Sequence, residues 1–220
     1  MVKTVKLAID KLQELEQSSH LVTGDIRKLS SELYRGLHDK SIDHVFSICE
    51  ELLEKRHWAL GVIAYDFAFR VKKQYNDTTY EVFYRWLREY VRGWGDCDDF
   101  CTHAFGELIR QDKRLFEQVL SWTQSSDFWV RRASAVVLIP AISKKDYDGI
   151  NPLMIADALL VDDHHLVLKG YGWMLKVLSV VDPSMVKDYL IKNHARMPRV
   201  SFRYACEKFD KETRDSLMKL

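Results

Sequence analysis

Glycine and proline are both scarce in this chain, at 9 and 4 of 220 residues. A strand-rich fold needs turn chemistry at short intervals, and no alternating apolar run here is bounded by Asn-Gly or Asp-Gly. That argues against a hairpin-based sheet. Cysteine is limited to positions 49, 97, 101 and 206. Four scattered thiols point to reduced cysteines rather than a disulfide framework. No apolar run approaches the ~18 residues of a membrane helix, so no membrane association is expected. The opening MVKTVKLAIDKLQELEQSS lacks the apolar core and small-residue cleavage site of a secretory signal; the expected location is cytoplasmic. Neither sign of charge dominates: 33 Lys and Arg face 32 Asp and Glu, for a formal +1. Bulk charge therefore neither requires nor excludes a nucleic acid, and such a partner needs a local basic face.

Apolar positions recur at spacings of three and four. They predict helices over 3–17, 25–38, 43–55, 57–74, 78–91, 97–110, 112–122, 127–140, 149–160, 164–180, 183–193 and 199–217. Short polar connectors separate them, and Asp43, Asp127 and Asp163 read as helix N-caps. Pairs of helices fall about 35–40 residues apart, the spacing of helical-repeat arrays, though no strict sequence period is visible. The expected fold is all-α: a single domain over 1–220, a curved α-solenoid of antiparallel helix pairs.

The stretch RGWGDCDDFCTHAFG, residues 92–106, concentrates chemistry. On a helix over 97–110, Cys101, Ala104, Phe105, Leu108 and Ile109 form one apolar stripe. Asp98 falls at the edge of the stripe and Asp99 on the opposite, solvated face. Trp94, four residues before Asp98, lies above it if the helical turn reaches back that far. Geometry alone leaves Asp98 open between an N-terminal cap or first-turn carboxylate and a catalytic one. A metal set of Cys97, Asp98, Cys101 and His103 lacks the second Cys or His pair usual for zinc, so no metal is expected. Asp162, Asp163, His164 and His165 sit at a helix start, where capping accounts for them better than ligation.

Two later helices have related character. In SSDFWVRRASAVVLI (125–139), Trp129, Ala133, Val136 and Val137 form the inner stripe, with Arg132 on its flank and Arg131 turned away. LKGYGWMLKVLS (168–179) is also helical: Leu166, Gly170, Trp173, Val177 and Val180 share one face of this helix, and Lys169 and Lys176 flank Trp173. Each mid-helix glycine costs about 1 kcal/mol relative to alanine, reasonable where a neighbour or a ligand backbone comes close. The bland account of Trp94 and Trp173 is core packing; an indole flanked by lysines also suits a phosphate chain packed on sugars.

Four stretches together resemble the HEAT-like-repeat DNA alkylation repair family, the AlkD-type alkylpurine DNA glycosylases: Trp94-x-x-x-Asp98, WVRRAS (129–134), KGYGWMLK (169–176) and MPRVSFRYACEKF (197–209). They span 94–209 in the family's order; the first 90 residues match only in helical texture. The resemblance implies a concave basic face that holds duplex DNA carrying alkylated purines, and hydrolysis of the N-glycosidic bond of cationic N3- or N7-alkylpurines in base excision repair. It implies that Asp98 is the active-site carboxylate, that Trp94 and Trp173 pack on the lesion's sugar-phosphate backbone, and that Arg132 contacts phosphate. Lys169, Lys176, Arg199 and Arg203 are the further basic residues expected near DNA. No cofactor, no obligate protein partner and a monomer are expected, nucleoid-associated when acting on DNA. Gly95-Asp96-Cys97 between Trp94 and Asp98 is less bulky than the family's best-known pattern. The competing expectations are a non-catalytic helical-repeat protein that binds damaged or branched DNA, and a protein–protein scaffold.

Overall fold

The structure is a computed structural model and describes residues 3–18 and 21–220. Every regular element among these residues is helical. The order is α1 (Lys3–Ser18), α2 (Thr23–Arg35), α3 (Ile42–Leu53), α4 (Trp58–Arg70), α5 (Thr79–Tyr90), α6 (Trp94–Thr102), α7 (Ala104–Gln111), α8 (Phe116–Ser121), α9 (Phe128–Val136), α10 (Ile139–Ser143), α11 (Pro152–Ala158), α12 (His165–Val181), α13 (Pro183–Asn193), α14 (Arg199–Cys206) and α15 (Lys211–Leu217). No helix among the described residues is long and apolar enough to cross a membrane.

Two compact units divide the chain, Met1–Leu108 and Ile109–Leu220. In the first, α4 is the centre and packs on α2, α3 and α6. Its sequence explains this position: WALGVIAYDFAFR is apolar all round, as a helix buried on every side must be, and residues 59–68 are all buried. Tyr65 stacks on Phe100 of α6 at 4.5 Å between ring centroids, and Phe83 and Trp86 of α5 extend the aromatic core. In the second unit, α12 has the central role, packed by α9, α10, α11, α13 and α14.

Some expected boundaries move. The helix expected over 97–110 is two: α6 begins at Trp94, and His103, with φ −119° and ψ −95°, breaks it from α7. Cys101, Ala104, Phe105, Leu108 and Ile109 are all buried as the stripe requires. The helix expected over 199–217 is likewise broken, and Asp210 caps α15 by accepting from Thr213 at 2.9 Å. Asp127 caps α9, accepting from Trp129 at 2.8 Å. Asp43 lies in the first turn of α3, whose N-cap residue is Ser41. Asp163 is not a cap either: His164 Nδ1 accepts from the Leu166 amide at 3.3 Å. Asp162 and Asp163 instead hold Arg131, at 2.7 and 3.0 Å, so the arginine turned away from the core ties α9 to the start of α12. All four cysteines are buried free thiols.

Candidate functional site

The helical turn does reach back to Trp94. Gly93 is the N-cap, in extended conformation and without a side-chain cap. Asp96, the third helical residue, takes that role by reaching back to the Arg92 amide at 3.2 Å, half of a capping box. Burial pushes the Asp96 carboxyl above the usual aspartate range, against the pull of the Arg92 and Gly93 amides. Asp96 is thus the capping carboxylate, and Asp98 stands two residues, about half a turn, further in. Trp94 and Asp98 are related as i and i+4, neighbours on one helix face. The Trp94 side is open: the residue is 64% exposed, so core packing does not account for its indole. Asp98 is half-buried, and its carbonyl accepts from the Thr102 hydroxyl at 2.7 Å.

Asp99 differs from its expected place on a solvated face. Its side chain is only 13% exposed and pairs with Arg27 of α2. The His103 Nδ1 lies 3.4 Å from the same carboxyl and 2.9 Å from the Asp99 carbonyl. Arg27 also lies 3.6 Å from Asp66 of α4, which in turn accepts from Ser30 and, at 2.7 Å, from Arg70. Asp99 does point away from the Cys97, Phe100 and Cys101 side of α6, but α6 has neighbours on two sides, and Arg27 of α2 covers the second. Burial raises the Asp99 carboxyl above the ordinary aspartate value, opposed by Arg27 and His103, and its Oδ2 has no hydrogen-bond partner. One sequence signal existed: Asp66 sits in an otherwise apolar run, AYDFAF, and a carboxylate there needs a buried cation. Among the described residues no three His, Cys, Asp or Glu side chains gather as a metal-ligand set.

The second unit carries the other candidates. The buried side of α9 is Val130, Arg132, Ala133, Val136 and Val137, with Val130 where Trp129 was expected; Trp129 is half-exposed against Phe128. Arg132 is 5% exposed, and its guanidinium donates to the Leu166 carbonyl of α12. The buried side of α12 is Val167, Gly170, Tyr171, Met174, Leu175 and Leu178. The face that carries Trp173 is therefore not the core face: Leu166, Lys169, Trp173, Lys176 and Val177 are all half-buried and Val180 is exposed. Lys176 pairs with Glu207. Arg199 donates to the Met218 carbonyl at 3.1 Å and lies over the Phe202 ring, while Arg203 is exposed. The two glycines answer to neighbours rather than to a ligand. A Cβ on Gly170 meets Arg132 Cγ at 3.1 Å, and one on Gly172 meets α14 at 2.9 Å.

The fold and these two groups of residues define an all-helical protein with an exposed Trp one turn from a half-buried carboxylate in one unit and a Trp–lysine face in the other. The chain belongs to the DNA alkylation repair enzyme family, whose model matches residues 17–209. A solved structure described as a predicted DNA alkylation repair enzyme from Enterococcus faecalis has the same fold. Its TM-score is 0.67 at 14% identity, covering 84% of this chain and 83% of its own. No curated protein matches the chain.

Proposed function

We propose that the protein is a DNA glycosylase that hydrolyses the N-glycosidic bond of cationic N3- or N7-alkylated purines in duplex DNA. The observation that carries the reading is the Trp94–Asp98 pair: an indole 64% exposed with a carboxylate one turn below it, in a member of a DNA alkylation repair family. An alkylated purine already bears positive charge and leaves without a general acid. What needs stabilising is the oxocarbenium character that develops on the deoxyribose. Asp98 supplies a fixed negative charge there and orients the attacking water. An indole face near the cation adds about 0.5–2 kcal/mol by cation–π attraction, the role assigned to the exposed Trp94 and to the half-buried Trp173.

Phosphate contacts fall to basic groups of the second unit. Arg132 suits bidentate contact in principle, but its small exposed surface limits it to an edge contact. Lys169, Arg199 and Arg203 are more open. Lys176 contributes only if DNA displaces Glu207. In this chemistry no step calls for a metal or an organic cofactor.

The test is chromatographic. Purified protein incubated with duplex DNA methylated by dimethyl sulfate is predicted to release 7-methylguanine or 3-methyladenine. Duplex binding that falls with salt but releases no base would replace the enzyme by a damage-binding protein. No salt-dependent DNA affinity would leave the scaffold reading.

A further inference from the structure

An element of internal repetition, invisible as a sequence period, emerges at the helix starts of the first unit. Trp58 is the first residue of α4 and Trp94 the first of α6, 36 positions later (58 to 94). An arginine precedes each by two positions, Arg56 and Arg92. Both arginines reach the end of α5: Arg56 donates to the Glu89 carbonyl, and Arg92 donates to the Arg88 and Val91 carbonyls at 3.1 and 2.7 Å. The repeated unit is Arg-x-Trp, at 56–58 and at 92–94.

Between these two starts lies a cavity of about 120 Å³. Arg56, His57, Trp58, Tyr90, Arg92 and Asp96 line its polar and aromatic sides, and Leu53, Gly61 and Tyr65 its apolar floor. Trp58 is 46% exposed, although it opens the most apolar helix of the unit. Arg56 holds φ +54°, a left-handed conformation that disfavours a residue with a Cβ. Lys145 holds the same φ after α10, so this conformation is the ordinary left-handed end of a helix, and at Arg56 it sets the direction in which the side chain leaves α3. Its guanidinium lies over the Tyr90 ring at 4.7 Å, and both Arg56 and Arg92 remain solvent-exposed. Of the negative groups nearby, Asp96 accepts from the amides that start α6, Glu16 lies 3.4 Å from His57 Nε2, and Glu50 and Glu89 face Arg85, while Glu54 also lies close enough to act on Tyr90. His57 Nδ1 is buried without a partner.

We propose that Trp58, with Arg56 and Arg92 around this cavity, is a second nucleotide-backbone subsite, which packs the Trp58 indole on a deoxyribose and holds the adjoining phosphate with the two guanidiniums. It repeats, one helix pair earlier, what Trp94 offers at α6. The chemistry fits: arginine matches a phosphate with two parallel N–H groups, an exposed indole packs on sugar or base without sequence preference, and the floor is too small for a whole nucleotide to enter. The inference rests on the reading that the substrate is duplex DNA, and it does not depend on whether the protein cuts.

The test measures binding of a fluorescein-labelled duplex, methylated and unmethylated, by anisotropy over a series of salt concentrations, beside base release. Trp58→Ala is predicted to weaken binding about tenfold and to raise KM rather than lower kcat. Arg56→Asn keeps a residue that tolerates the left-handed backbone. It is predicted to reduce the slope of log K against log salt by about 1. Melting curves within a few degrees of wild type show that both variants are folded. Wild-type affinity and salt slope in both variants would overturn the subsite even where base release by the wild type upholds the glycosylase. Weakened binding in a wild-type background that releases no base upholds the subsite and removes the glycosylase. Absence of duplex binding by the wild type removes both.

Discussion

Replacing Gly172 by alanine adds one methyl group where α12 crosses α14. The new Cβ would lie 2.9 Å from Tyr204 Cβ, 3.0 Å from Ser201 Cα and 3.0 Å from the Ser201 carbonyl oxygen. Two of those three atoms are backbone of α14 and cannot rotate aside. Overpacking of a well-packed core costs about 1–3 kcal/mol, and contact with rigid backbone puts this site at about 3. Alanine recovers about 1 kcal/mol of helix propensity, which leaves a net loss of about 2. Gly95 in the first turn of α6 is the control, because a Cβ there meets nothing within 4 Å. Gly95→Ala should therefore gain about 0.5–1 kcal/mol. For a chain of this size 1 kcal/mol moves Tm by about 2–4 °C. The same chemical change thus lowers Tm by about 4–8 °C at 172 and raises it slightly at 95. Urea titration with an unchanged slope against denaturant confirms that stability alone has moved. A Gly172→Ala protein as stable as wild type would refute the close crossing, and with it the account of why a glycine stands beside Trp173.

Three further outcomes are expected. Asp99 has a folded-state pKa above its unfolded value of 3.8, so protonation favours the folded state. Its contribution to stability is complete below that value and is lost as pH rises through the folded pKa. Wild type is therefore predicted to lose stability relative to Asp99→Asn as pH climbs from below 4 through the acid range; a gap that does not change with pH contradicts this. All four thiols are buried, and burial raises Cys206 to about 11. An aromatic disulfide reagent at pH 8 is predicted to titrate none of the four before unfolding and all four in denaturant. At Gly95, beside the exposed Trp94, the stabilised alanine variant is expected to bind duplex more weakly if DNA backbone approaches there; unchanged affinity places the backbone elsewhere.

The helices were legible because their signal is local. WALGVIAYDFAFR and HLVLKGYGWMLKVLSVV carry enough apolar spacing to be located within a few residues. Caps and breaks were less so, because several side chains compete at each end. Asp163 and His164 are adjacent candidates, and only the position of Arg131 decides that the histidine caps. His103 breaks α6 from α7 through its own contact with the Asp99 carbonyl, and nothing in its neighbours' identity announces that. The pairing of Trp94 with Asp98 was legible as an i, i+4 relation once the helix start was known. The environment of Asp99 was not: it depends on Arg27, 72 positions away, and on Asp66 of α4. Arg132 shows the same limit from the other side. Its helical phase places it on the flank of α9, and the approach of α12 buries it against Leu166 and Gly170. The repeated Arg-x-Trp is too short to register as a sequence period, and its equivalence lies in both tryptophans opening helices.

The most direct measurement of the central claim is the single-turnover rate of base release from N7-methylated duplex DNA by wild type and by Asp98→Asn. Asn keeps the shape of the side chain and removes the charge that the sugar cation requires. The predicted result is release by the wild type and a rate about 100-fold or more lower in the variant, with the two melting temperatures within a few degrees of each other. Release by a folded Asp98→Asn protein at the wild-type rate would contradict the account.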